Sequence, residues 1–293
     1  MTDRIGFIGL GRMGAAMVKR MCESGTPPVI WNRNPAKAEP LRALGCAVAS
    51  SPEALAAESD IVLACVHDAA SVEGILFGSN GVSRGGKSGK VFVDMSTIGP
   101  VATPGLAQRL AETCGMNWVD APVSGGVPGA VSGKLIVMAG GSAEDVKRVE
   151  PVLRRFSERI THVGKVGMGQ AVKAINQLIV GGYVATIAEA FSLAERHGMD
   201  VAKLPDILKG GLADSNVLQG QGKRMAGKLD RTGSAAILIK DMDIAAAMAT
   251  AVAHPLPVGS LVGQLYRLQA TVGYDAYGMI GLMQLFRGER TAD

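Results

Sequence analysis

Arg4-Ile5-Gly6-Phe7-Ile8-Gly9-Leu10-Gly11-Arg12-Met13-Gly14 decides the fold of this chain. Ile5, Phe7 and Ile8 read as a buried strand that runs straight into a Gly-x-Gly-x-x-Gly turn. Gly9 allows the tight turn, Gly11 lets a pyrophosphate approach the backbone, and Gly14 lets the next helix pack against the sheet. That helix, expected from about Met13 to Ser24, aims its free N–H groups and its positive dipole end at the phosphates. A second strand, Val29-Ile30-Trp31, follows at the distance a dinucleotide-binding unit requires. The turn residues Gly9, Leu10, Gly11, Arg12, Met13 and Gly14 are therefore cofactor-site candidates.

The end of the second strand separates the two nicotinamide dinucleotides. An Asp or Glu there accepts from the ribose 2′-OH of NAD. This chain has Asn32-Arg33-Asn34, with Lys37 one turn on. Asn32 does not repel a 2′-phosphate, and the Arg33 guanidinium can pair with one and stack on adenine. The expected cofactor is NADP(H), with NAD(H) left open.

Further along, strands and helices alternate. Ile61–Val66 and Lys90–Asp94 are continuous apolar runs of the kind buried on both faces of a sheet. Asn117–Asp120 and Leu135–Ala139 are later strands, and Ala47-Val48 a short one. Helices are expected near 35–44, 52–58, 100–114 and 142–156, the last with Ser142 as its N-cap. This grammar predicts a Rossmann-type, doubly wound, mostly parallel α/β sheet. Ligands sit at the carboxyl ends of such strands, a rim holding Gly9–Gly14, Asn32-Arg33, Val66-His67-Asp68 and Ser96-Thr97.

From about Val163 the pattern changes. A glycine loop, 164–169, leads into a long helix near 170–197, which at 1.5 Å per residue is roughly 40 Å long. Only helical patterns follow, near 201–209, 217–226, 239–253, 257–271 and 277–286. The expected organisation is a dinucleotide-binding domain over 1–163 and an all-α C-terminal domain over 164–293, joined by the long interdomain helix. Met242, Met248, Met279 and Met283 read as core filler.

Two constellations carry chemistry. Lys173, Asn176 and Gln177 lie on one face of the long helix, near its start. Burial there lowers a Lys pKa and makes the amine a usable proton donor or acceptor. Asp120-Ala121-Pro122-Val123-Ser124-Gly125-Gly126 ends a strand. Its Ser124 hydroxyl and the Gly125 and Gly126 N–H groups can hold a carboxylate, and a simple turn suits the same residues.

Composition narrows the class. The 293 residues are 47% hydrophobic and 19% charged with a formal net charge of +4, so sizeable cores are expected. There is no basic run with interleaved aromatics, which argues against nucleic acid. Cys22, Cys46, Cys65 and Cys114 are scattered, without C-x-x-C or metal-ligand spacing to the four histidines, so no metal is expected. A reducing cytoplasm fits them. The first strand begins too early for a signal peptide, and the apolar stretch 179–190 is too short to span a bilayer.

Together these segments resemble the β-hydroxyacid dehydrogenase family, which includes 3-hydroxyisobutyrate dehydrogenase and tartronate semialdehyde reductase. The resemblance covers nearly the whole chain. It rests on Gly9–Gly14, Asp94-Met95-Ser96-Thr97, Asp120–Gly126, Gly164–Asn176 and Lys240-Asp241. It implies Lys173 as catalytic acid/base, Asn176 and Gln177 at the substrate, and Ser124, Gly125 and Gly126 on its carboxylate. It implies Thr97 beside the cofactor, and Lys240 closing over it from a helical domain of 6-phosphogluconate dehydrogenase type; Val66 and His67 are cofactor-site candidates by their place on the rim, His67 either touching the cofactor ribose or only finishing a loop. It also implies a homodimer or homotetramer built through that domain. The chain departs from the family pattern in three places: Gln177 replaces a usual Asn, Val66-His67-Asp68 an apolar-Pro pair, and Met242-Asp243 a usual Leu-Gly.

The expected reaction is hydride transfer between NADP(H) and a short β-hydroxy acid or its semialdehyde, of the 2-hydroxy-3-oxopropionate type. The polar segment Asp214–Gln221 suggests extra hydroxyls on the substrate, or else only caps the next helix. The other readings are an NAD-dependent 3-hydroxyisobutyrate or threonate dehydrogenase, an imine reductase, and a non-catalytic nucleotide-binding module.

Overall fold

The computed structural model describes residues 3–227, 231 and 233–288, so parts of the two expected domain ranges (1–2, 228–230, 232 and 289–293) lie outside the described residues. The chain divides into two compact units, Met1–Lys173 and Ala174–Asp293.

Among the described residues the first unit has eight strands: β1 (Ile5–Ile8), β2 (Val29–Trp31), β3 (Ile61–Ala64), β4 (Val91–Asp94), β5 (Asn117–Asp120), β6 (Val123–Ser124), β7 (Leu135–Gly140) and β8 (Ser157–Gly164). They are ordered β2-β1-β3-β4-β5-β7-β6, with β8 paired to β7. β1 to β5 are mutually parallel. β7 then runs antiparallel to β5 and β6, and β8 parallel to β7. After β2 the chain crosses to the far side of β1 to form β3. That reversal opens a crevice at the carboxyl ends of β1 and β3.

Every residue of β3 and β4 is buried, and the pleat explains why their sequences are apolar throughout. Leu63, Val91, Val93 and Val119 join Met17, Val18 and Met21 of the helix Arg12–Glu23 in the core on one face. Val62, Ala64, Phe92 and Trp118 join Leu55, Val72, Leu76 and Leu110 in the core on the other. Alternate side chains of one strand thus serve two cores, the physical meaning of a doubly wound sheet.

Several expected elements are redrawn. The strand read as 61–66 ends at Ala64, because Cys65 and Val66 turn into the rim. Ala47-Val48 makes only an isolated bridge to Ile30. The helix read as 35–44 is a 3-10 turn, Pro35–Lys37, followed by Glu39–Arg42. The helix Ala69–Phe77, begun by Asp68 accepting from the Ser71 N–H at 2.8 Å, was not foreseen. Nor were β6, the helix Gly126–Ser132 and β8. The thiols of Cys22 and Cys46, distant in sequence, lie 3.3 Å apart and unbridged.

Among the described residues of the second unit there are only helices. Val184, Ala188 and Phe191 of the helix Met168–Arg196 pack with Met242, Val262, Tyr266, Leu282 and Met283. Met242 and Met283 are core, as expected. The long helix has 29 residues, and by length and composition it could cross a membrane, against the expectation from the shorter stretch 179–190. Its buried side chains instead serve the core just described.

Candidate active site

The glycine turn has the geometry its sequence demanded. Gly9 sits at φ +98°, and a Cβ there would meet the Cys65 carbonyl oxygen at 2.3 Å, so only glycine fits between the ends of β1 and β3. A Cβ on Gly14 would lie 1.9 Å from the Gly9 oxygen, which holds helix and strand at contact distance. Gly11 faces open space, with nothing within 4 Å of where its Cβ would be. The helix Arg12–Glu23 has Gly11 as N-cap, no side-chain cap and no acidic residue in its first turn. An open approach and uncapped N–H groups fit a pyrophosphate.

Asn32 closes this turn from the side. Its Oδ1 accepts from the Leu10 N–H at 2.8 Å, and its Nδ2 donates to the Asn34 carbonyl at 2.8 Å. The side chain standing at the usual ribose position is thus committed to the loop. Arg33 and Lys37 are exposed beside it. The Val66 N–H donates to Ser96 Oγ at 3.0 Å, joining the loops after β3 and β4. Thr97 is half-buried and His67 exposed on that rim. Met13 packs partly into the core and Arg12 is exposed.

The first turn of the long helix is pinned to the sheet by two groups whose role the sequence reading did not assign. Asp120, at the end of β5 and fully buried, accepts from the Gly167 N–H at 2.7 Å and the Gln170 N–H at 2.9 Å, capping the helix. Gln170 is fully buried too. Its Oε1 accepts from the N–H groups of Ile98 and Gly99, both at 3.1 Å, and its Nε2 donates to the Ser96 carbonyl at 2.8 Å. A Cβ on Gly169 would meet the Met138 oxygen at 2.3 Å, so the turn lies directly on the strand ends. Lys173 stands one turn further on and is only 8% exposed.

Ser124 ends β6 and is half-buried. Gly125 and Gly126 follow at φ +122° and +62°, both exposed, in a conformation that side chains resist.

In the second unit Asn176 Nδ2 donates to Gln177 Oε1 at 2.9 Å, and Gln177 Nε2 donates to Asp241 Oδ2 at 2.5 Å. Lys240 Nζ lies 3.0 Å from Asp241 Oδ1. Gln177, expected at the substrate, spends both ends of its amide on protein partners. The segment Asp214–Gln221 likewise bonds within its surroundings. Ser215 Oγ caps the Leu218 N–H, Asp214 accepts from the Gly210 N–H and Gln219, and Gln219 also donates to the Pro205 carbonyl. Of the two readings of that segment, the capping one describes its hydrogen bonds.

The family model described as the NAD binding domain of 6-phosphogluconate dehydrogenase matches residues 4–164. The one described as NAD-binding of NADP-dependent 3-hydroxyisobutyrate dehydrogenase matches residues 167–285. The chain belongs to the β-hydroxyacid dehydrogenase family. It is an NAD(P)-dependent oxidoreductase of that family. Among its relatives, 2-hydroxy-3-oxopropionate reductase of Escherichia coli (strain K12) is 33% identical over 99% of this chain and 100% of its own length. A Mycobacterium tuberculosis 3-hydroxyisobutyrate dehydrogenase solved with L-serine superposes with a TM-score of 0.87 at 28% identity, over 98% of this chain and 100% of that one. A structure titled Psf3 in complex with NADP+ and 2-OPP gives 0.87 at 25% identity, over 96% and 99%.

Removing the cap should be felt first in stability. Asp120→Ala leaves two buried N–H groups unpaired and should cost this dehydrogenase about 2–4 kcal/mol in denaturant unfolding. Asp120→Asn, which keeps one acceptor, should cost about half of that. Burial holds the Asp120 carboxyl above its ordinary range, against the opposing pull of the Gly167 and Gln170 N–H groups. The folded state therefore takes up this proton first. Its contribution is complete below the ordinary pKa of 3.8 and is lost as pH rises through the raised value. The stability difference between wild type and Asp120→Asn should shrink over that rise, and unfolding curves across it would show this.

Proposed function

We propose that this β-hydroxyacid dehydrogenase interconverts a short β-hydroxy acid and its semialdehyde with NADP(H), on a substrate of the 2-hydroxy-3-oxopropionate type. The observation that carries the reading is Lys173, a buried amine on the helix turn that Asp120 and Gln170 fasten to the carboxyl rim of the sheet. Ligands of open α/β sheets gather at that rim, and a buried amine there is suited to proton transfer.

When bound, the cofactor supplies hydride in reduction and takes it in oxidation. Lys173 serves the oxygen atom of the same carbon. In reduction the ammonium donates its proton to that oxygen as negative charge develops, and its own charge stabilises the change in a site shielded from water. Aldehyde, hydride and proton give the alcohol. In oxidation the neutral amine takes the hydroxyl proton. Ser124 and the N–H groups of Gly125 and Gly126 hold the substrate carboxylate, and Asn176, three residues along the helix from Lys173, orients the substrate.

The preference for NADP(H) rests on Asn32 and Arg33. Asn32 is neutral and its amide is tied to the loop through the Leu10 N–H and the Asn34 carbonyl, so it sets no negative charge against a 2′-phosphate. The exposed Arg33 and Lys37 supply positive charge for a 2′-phosphate, and Asn32–Ala38 contains no acidic residue. Assembly into a homo-oligomer through the helical unit is supported by a stripe one turn apart on the long helix. Ile175, Ile179 and Tyr183 remain 47%, 50% and 49% exposed, and Val258 and Leu261 stay exposed as well. Ile179, Tyr183 and Val258 edge an apolar groove, a surface monomers rarely keep bare.

Lys173→Ala should lower kcat by about 10²–10⁴-fold while leaving NADPH affinity, read by fluorescence quenching, within a few-fold; near-normal turnover would overturn the assignment. Arg33→Ala should raise the KM for NADPH about tenfold and leave that for NADH nearly unchanged. A wild-type enzyme that turns over faster with NADH would refute the preference. Sedimentation velocity should show a dimer or tetramer, and a monomer at micromolar concentration would exclude the helical-unit interface.

A further inference from the structure

The hydrogen-bond chain in the helical unit has a direction, and its chemistry fixes it. Asp241 is buried, with Lys240 Nζ at 3.0 Å from Oδ1. A carboxylate accepts hydrogen bonds and has none to give. The end of the Gln177 amide that lies 2.5 Å from Asp241 Oδ2 must therefore be its NH₂ group. That leaves Gln177 Oε1 facing Asn176, so the Asn176 group 2.9 Å away must also be NH₂. Amide oxygen and nitrogen are ordinarily told apart only by such network arguments, and here one carboxylate settles both amides in sequence. The atom of Asn176 left for a ligand is Oδ1, an acceptor.

This has a consequence for the substrate, resting on the function proposed above. The reacting oxygen of the aldehyde is itself an acceptor and is served by the Lys173 ammonium. Asn176 Oδ1 cannot share it without two lone pairs meeting. It needs an O–H elsewhere on a short acid, and the carbon beside the carboxylate is the one place left. We infer that Asp241 and Gln177 are positioning residues that lock Asn176 as an acceptor, and that the lock selects substrates with a hydroxyl next to the carboxylate over those with hydrogen or methyl there. An apolar group opposite Oδ1 leaves a desolvated acceptor unpaired, the kind of mismatch by which sites reject analogues lacking a hydroxyl.

Asp241→Asn tests the lock with almost no change of shape. Asn at 241 can donate as well as accept, so the carboxylate no longer dictates which end of the Gln177 amide faces it, nor which end Asn176 presents. Gln177→Met, of similar length, breaks the chain at its middle and carries the test if Asp241→Asn does not fold. The probes are glycerate and 3-hydroxypropanoate, which differ by that one hydroxyl, and 3-hydroxy-2-methylpropanoate. Rates of NADP+ reduction are measured for each, with calorimetric titration of each acid into the NADP+-loaded enzyme.

Wild type should favour glycerate in kcat/KM by about tenfold or more, and both variants should bring that ratio down by about tenfold, mainly through KM. A merely structural role would lower all three substrates by one factor and leave the ratio unmoved, which overturns the inference. So does a wild-type enzyme indifferent to the hydroxyl, or a titration in which neither glycerate nor 3-hydroxypropanoate binds. Turnover of all three acids without preference sinks only this inference. Near-normal turnover by Lys173→Ala sinks the proposed function itself.

Discussion

The buried carboxylate of Asp120 is the constraint on which the site depends. A helix that begins against the ends of a sheet brings unpaired N–H groups into a place without water, and these must find acceptors. Asp120 supplies two, to Gly167 and Gln170. Gln170, so placed, turns its amide into the loop after β4 and satisfies Ile98, Gly99 and Ser96. Each bond is modest by itself. Breaking any one strands a buried partner, and that asymmetry makes the arrangement stiff. Lys173 inherits its position from this turn.

The cofactor side follows the same logic with different parts. Gly9, Gly11 and Gly14 remove side chains where backbone must meet backbone or be left open. Asn32 then ties the turn to the end of β2. A neutral residue in place of an acid there changes two things together: the loop gains a tether, and the strand end carries no negative charge. Arg33, next in the chain, is left outside with its charge available.

Much of the first unit was legible because burial on both faces of a sheet leaves a mark in one dimension. Ile61–Ala64 and Val91–Asp94 are apolar throughout since both their faces are covered. β8 escaped notice for the opposite reason. It is Ser-Glu-Arg-Ile-Thr-His-Val-Gly, largely exposed, and becomes a strand through its pairing with β7. The helix Ala69–Phe77 has only small or mixed residues at its start, and Asp68 was the signal that could have marked it. The long helix was expected close to its observed limits, but its buried and bare residues could not be told apart by hydropathy.

Local chemistry, then, is what the sequence by itself determined: a glycine turn, a strand end without an acid, and a Lys and an Asn one helical turn apart. Their spacing acts over a few residues, so one dimension is enough to read it. The tertiary structure alone decided that Asp120 reaches 47 and 50 residues along the chain, that Gln170 reaches 71 and 72 back, and that Gln177 meets Asp241 across 64. Hydrogen bonds are short and directional. Which donor meets which acceptor is fixed only once folding has brought distant segments within about 3 Å.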